Sequence, residues 1–144
     1  MKCKIFIDKE CEEEVLIYAH EKTKLVQAIE NLVAEEEFEL IGYKEKEAVR
    51  LNLSDISCFS VEDNKIYAFT EREKLFVKCR LYKLEESLPP CFVKINQSCI
   101  ANIKKIDRFD ASFTGSLTVR FKNGITDYVS RRNVKTVKER LGIK

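Results

Sequence analysis

A mainly β, α+β fold is predicted by three features of this sequence. Short apolar runs recur at close spacing from residue 38 onward, separated by turn-forming residues. Only three stretches carry helical patterning, and two of them are short. With 44% hydrophobic residues in a chain of 144, a proper core can be buried, which argues against wholesale disorder. The length suits one domain with a small extension.

The first 37 residues read as a strand–strand–helix head. Residues 2–8 alternate, with Ile5 and Ile7 on one face, and Glu14–Ala19 suits a second strand. In "EKTKLVQAIENLVAEE", Leu25, Val26, Ile29, Leu32 and Val33 form the stripe of an amphipathic helix. The acidic run at 35–37, followed by Phe38, marks a boundary, so residues 1–37 and 38–144 are the expected units.

In the second unit, strands are expected at 38–43, 47–52, 56–61, 65–70, 74–79, 92–95, 117–121 and 125–129. Asp63 and Asn64 in "VEDNK" tolerate turn conformations. Asn123-Gly124 in "FKNGIT" is the strongest short-range hairpin signal in the chain. It places Leu117, Val119 and Phe121 on one face and Thr118 and Arg120 on the other. Short helices are expected at 81–88, stopped by Pro89-Pro90, and at 131–141, opened by Ser130 and closed by Gly142.

Several function classes fall away. No apolar run approaches the roughly 18 residues of a membrane span. The start "MKCKIFID" has too few apolar residues before Asp8 for a secretion signal, so a cytoplasmic protein is expected. None of the cysteines (Cys3, Cys11, Cys58, Cys79, Cys91, Cys99) lies in a CxxC spacing, and buried reduced thiols are expected. His20 is the only histidine, which argues against zinc. With no glycine-rich phosphate loop and no nucleophile–His–acid constellation, neither an enzyme, a cofactor nor a small-molecule substrate is expected.

The net charge of +2 conceals a polarity. Residues 1–40 hold 5 basic and 11 acidic side chains, residues 41–90 hold 9 of each, and residues 91–144 hold 12 basic and 4 acidic. A basic C-terminal third suits a polyanion partner, though a solvated basic face would look the same.

Polar interruptions sharpen this. In "CFVKINQSCIANIKKI" an apolar frame is broken by Lys94, Asn96, Gln97 and Ser98. Asn64-Lys65 sits at a turn. Arg131-Arg132 opens a helix, where cations oppose the helix dipole unless an anion binds there. Those arginines could equally extend into solvent or pair with acids such as Asp127.

Together, "LSDISCFSVEDNKIYAFT", "FVKINQSCIANIKKIDRF" and "SLTVRFKNGITDYVSRRNVKTVKERLG" resemble the LytTR family of bacterial DNA-binding domains, from about Leu40 to Gly142. The resemblance implies an elongated arrangement of small antiparallel β-sheets with short helices. It also implies that loops enter successive major grooves of double-stranded DNA at paired promoter sites. The family's Arg-x-His-Arg-Ser falls on Lys94-Ile95-Asn96-Gln97-Ser98, and a following family Asn falls on Asn102. Asn64 with Lys65, and Arg132 with Arg131, fall at other contact positions. Asn96 and Gln97 replace the usual His and Arg, and an amide suits adenine better than guanine. Lys94, Lys104, Lys105, Arg131 and Arg132 are then expected on phosphates. Asn102 suits a structural role toward nearby backbone.

About 37 residues precede the domain, too few for the receiver that many relatives carry. The chain therefore resembles stand-alone regulators that work with a membrane-protein partner. The acidic head is expected to pack on the β domain or to form a homodimer. A protein-interaction module of a membrane-linked signalling system, using that head, is the alternative function, and RNA binding is a third.

Overall fold

The computed structural model describes residues 1–37, 39–111 and 116–142. In chain order its elements are α1 (Lys24–Glu37), β1 (Leu40–Lys44), β2 (Glu47–Leu51), β3 (Cys58–Glu62), β4 (Lys65–Phe69), β5 (Lys74–Val77) and α2 (Leu81–Ser87). There follow β6 (Phe92–Asn96), β7 (Cys99–Asn102), β8 (Ile106–Ala111), β9 (Leu117–Phe121), β10 (Thr126–Val129) and α3 (Arg131–Leu141). All strand pairs are antiparallel. One sheet has the order β2-β1-β5-β4-β3-β7-β6 and the other β10-β9-β8. The mainly β, α+β expectation holds.

The head departs from expectation. Residues 1–23 form no strand, and Ile5 and Ile7 are 78% and 88% exposed. Alternation marks a face that could be buried, but a strand exists only when an edge pairs with it. The helix does form, with Thr23 Oγ1 accepting from the Val26 amide at 3.3 Å. Phe38, the expected boundary residue, lies outside the described residues.

The stretch 91–106 is a hairpin, β6–β7, and the sequence pointed to neither β7 nor β8. Every β7 residue is buried, so no period of two is visible. β8 is the opposite case, exposed over all but its first residue.

Two apolar clusters share the large sheet. Phe59, Phe92 and Ile100 pack with Leu75 and Leu84 in one, while Cys58, Val93, Ile95, Cys99 and Ala101 pack with Leu117, Val119, Phe121 and Val137 in the other. Strands β3, β6 and β7 are thus buried on both faces, and the β9–β10 sheet with α3 covers the second. Leu117, Val119 and Phe121 point inward as the alternation predicts.

The Asn123-Gly124 hairpin also forms. Its turn bond runs from the Gly124 amide to the Phe121 carbonyl at 2.9 Å, which leaves Gly124 at φ +90°. An L side chain is rarely found in that conformation.

Three of the six cysteines, Cys58, Cys91 and Cys99, are buried as expected, while Cys3 and Cys11, both in the head, are exposed. Cys99 shares a hydrogen bond with Cys58, and this contact, then burial, hold its thiol well above the ordinary range. The folded chain therefore keeps a proton that the unfolded chain releases at an ordinary thiol pKa. Stability is unaffected by this group at neutral pH and falls as pH rises above that value. Urea titrations from neutral to alkaline pH should show that decline, and Cys99→Ala should flatten it.

Gly42 sits mid-β1, where a Cβ would lie 2.7 Å from Leu75 Cβ and 3.1 Å from Leu51 Cδ1. Gly42→Ala must push two core leucines apart, and denaturation is expected to show a loss of about 1–3 kcal/mol.

Candidate nucleic-acid interface

Three local structures build one end of the domain. At the β3–β4 turn, Asp63 and Asn64 both adopt positive φ, 50° and 63°, which these residue types tolerate in a tight two-residue hairpin. At the β6–β7 turn, Asn96 Oδ1 accepts from the Ser98 amide at 2.8 Å, closing a loop with Gln97 at its tip. At the end of β10, Ser130 breaks from the strand (φ −64°, ψ 151°) to start α3.

Backbone bonds gather these three. The Val61 amide donates to the Ser98 carbonyl at 2.9 Å, so the β6–β7 tip lies beside β3, three residues before Asn64. The Ser130 amide donates to the Ile95 carbonyl at 2.8 Å, which brings the first turn of α3 to the same tip. Asn64, Lys65, Gln97, Ser98, Arg131 and Arg132 are all exposed there.

Asn96 must be removed from the expected contact set. It is 1% exposed, and its Nδ2 donates to the Tyr128 carbonyl at 2.8 Å and to Asp127 Oδ1 at 3.2 Å. With its Oδ1 on Ser98, its amide is used inside the chain, and no base edge can reach it. Asn102 takes the structural role expected of it. Its Nδ2 donates to the Ile56 carbonyl at 2.9 Å, and its Oδ1 accepts from the Lys104 amide.

The cations differ in freedom. Lys94 is half-buried, with Glu85 at 3.7 Å, a surface pair of little energetic weight. Lys65 lies 5.9 Å from the Phe76 ring. Among the described residues neither Arg131 nor Arg132 has an ion pair, and Asp127 is engaged with Asn96 and the Tyr128 amide instead. No acid stands in the first turn of α3, and Ser130 Oγ accepts from Asn133 Nδ2 without capping a backbone amide. The amides of Arg131 and Arg132 are therefore open to an anion.

Lys104 and Lys105 follow β7 at its other end. Lys105 lines a surface cleft of about 410 Å³ with Arg50, Arg72, Asp55 and Glu71, whose mixed charge sets it apart from the Gln97 tip. Sequence reasoning missed Asp127 and Glu85 as partners. Only the Asn96-x-Ser98 spacing, the signature of an Asx turn, hinted that Asn96 would bond its own loop.

Among the described residues, no group of three or more His, Cys, Asp or Glu could hold a metal, and no helix is long and apolar enough to cross a membrane.

Exposed amides and cations on loop ends of a rigid β scaffold are the equipment of a polyanion-binding domain. Residues 46–142 match the LytTr DNA-binding domain family, and this chain belongs to that family. Over 146 aligned residues it is 36% identical to HTH-type transcriptional regulators of Staphylococcus aureus strains MSSA476 and COL, covering 99% of this chain and 99% of each relative. A solved LytTr DNA-binding domain from Bacillus cereus superposes with a TM-score of 0.68 at 20% identity, covering 73% of this chain and 97% of that one. β1 precedes the matched residues yet pairs with β5 in the large sheet.

Removing the Asn96 amide strands the Tyr128 carbonyl and the Ser98 amide. Asn96→Ala is expected to cost about 1–3 kcal/mol in urea unfolding. Asn96→Asp, which sets a carboxylate against Asp127, should be worse at neutral pH.

Proposed function

We propose that this chain is a cytoplasmic, sequence-specific DNA-binding transcription regulator that acts through adjacent major grooves of double-stranded DNA. The observation that carries this is the convergence of Asn64, Gln97 and Arg132 at one end, exposed and without side-chain hydrogen bonds among the described residues. Polar side chains held out on a braced scaffold are poised for an external partner. Gln97, at the β6–β7 tip, reads a base edge, with adenine its best partner through N6 and N7. Asn64 and Arg132 make base or near-base contacts on either side. Lys65, Lys94 and Arg131 engage phosphates, with Ser98 and the open amides of α3 beside them. Two copies act together on paired promoter sites.

The test is fluorescence anisotropy on the DNA upstream of the protein's own coding region, with random DNA as competitor. Binding is expected to survive competitor and to weaken by about 10- to 100-fold in Gln97→Ala and in Arg132→Ala. With these three cations on phosphates, log affinity should fall with log salt at a slope of about −3. Loss to competitor that is equal for all three proteins would leave only nonspecific charge. Site selection returning guanine at the position affected by Gln97 would contradict the adenine assignment.

A further inference from the structure

The head presents an apolar surface that the folded chain does not cover. Leu25 and Leu32 of α1 are 53% and 67% exposed, seven residues apart and so on one side of the helix. Ala28 lies between them, exposed, with Ile29 half-buried at the margin. The other side of α1 holds the buried Val26 and Asn31. The helix thus leaves Leu25, Ala28 and Leu32 uncovered in a row, flanked by the exposed Lys24 and Glu30, although an apolar stripe on a surface helix is normally buried. The relatives match over 99% of their length, so this head is shared with them, whereas the solved LytTr domain covers 73% of this chain.

Charge indicates what covers the stripe. α1 carries Lys24 in its first turn and the three glutamates 35–37 in its last, with no acid at its start and no base at its end. Both ends oppose the helix dipole. Lys22 is already paired with Glu30 at 2.9 Å, but Lys24 has no ion pair among the described residues. A second α1 running antiparallel sets the basic, dipole-positive end of each helix beside the acidic, dipole-negative end of the other. A parallel neighbour would stack like on like. The antiparallel arrangement also places Leu25 of one copy against Leu32 of the other, with the small Ala28 near the two-fold axis.

We propose that two copies of this chain associate through an isologous, antiparallel α1 pair centred on Ala28, with Leu25 and Leu32 as its apolar contacts. The stripe alone removes on the order of 300 Å² per copy, short of the roughly 800 Å² of a stable interface. Residues 1–23 offer further apolar area to the same partner, since Ile5, Phe6, Ile7, Val15 and Leu16 are 56–88% exposed. The inference gives the paired action proposed above a physical interface, but the interface itself needs no DNA.

Sedimentation velocity of the full chain without DNA, over a wide concentration range, tests it. The wild type should sediment at twice its 16.8 kDa mass, and Leu25→Asp with Leu32→Asp at the monomer mass, with circular dichroism unchanged. Lys24→Glu should weaken association at least tenfold, and adding Glu35→Lys and Glu36→Lys should restore it. A wild type that stays monomeric, leucine variants that still dimerise, or a charge swap that fails to rescue would each overturn the proposal. Anisotropy on a single DNA half-site separates this outcome from the regulator reading. The leucine variants should keep half-site affinity, whereas a wild type that dimerises but binds no DNA would sink the regulator and leave the interface standing.

Discussion

The domain depends on asparagine side chains that act in two directions at once. Asn96, Asn102 and Asn123 each accept, through Oδ1, the amide two residues ahead, at 2.8, 3.1 and 3.1 Å. Each then donates through Nδ2 to a different element: Asn96 to Asp127 and Tyr128 in β10, Asn102 to Ile56, and Asn123 to Thr70. The local bond fixes the end of a strand, and the long-range bond fixes where that end sits. Asn123 ties the tip of the small sheet to the end of β4, while Asn96 ties β6 of the large sheet to β10. Two sheets held at both ends in this way cannot slide, and a sheet that cannot slide can present loops at fixed spacing.

The second constraint is space. Because β3, β6 and β7 are buried on both faces, the small sheet stacks directly on them, and the residues that β3 and β7 contribute to that layer are small: Cys58, Cys99 and Ala101. The same pressure acts at Gly42, under Leu51 and Leu75. Thiols serve here as compact apolar groups, and the contact with Cys58, then burial, keeps the Cys99 thiol protonated.

Where sequence and structure agree, one segment carries its own signal. Asp63-Asn64 demanded a turn, Gly142 ended α3 and Pro89-Pro90 followed α2, and these were legible because their chemistry is local. What could not be read depended on neighbours. β7 is a strand because β3 and β6 flank it, and its double burial erased the alternation that would have announced it. The strands expected in the head failed for the converse reason, since their alternation is local but they pair with no sheet edge. At the candidate site, exposed positions such as Gln97 and Arg132 were identifiable from residue type and motif. Asn96 was not, because nothing in the string "KINQS" tells that one amide points inward to a carboxylate 31 residues away.

That contrast divides the labour between adjacent positions. Gln97 is exposed and bonded to nothing described, so its identity can alter what is recognised at little cost to the fold. Asn96 is bonded to three partners, one of which, Asp127, also lies against Cys99. Tyr128 leads within two residues to Ser130 and the first turn of α3, itself anchored on Ile95. A disturbance at Asn96 therefore reaches Arg131 and Arg132 as well as Gln97. Two of the three reading elements share one buried amide, and binding by rigid, preorganised loops avoids the entropy cost of ordering them on DNA. Specificity in this chain can drift at position 97 while position 96 holds the frame in which that drift has meaning.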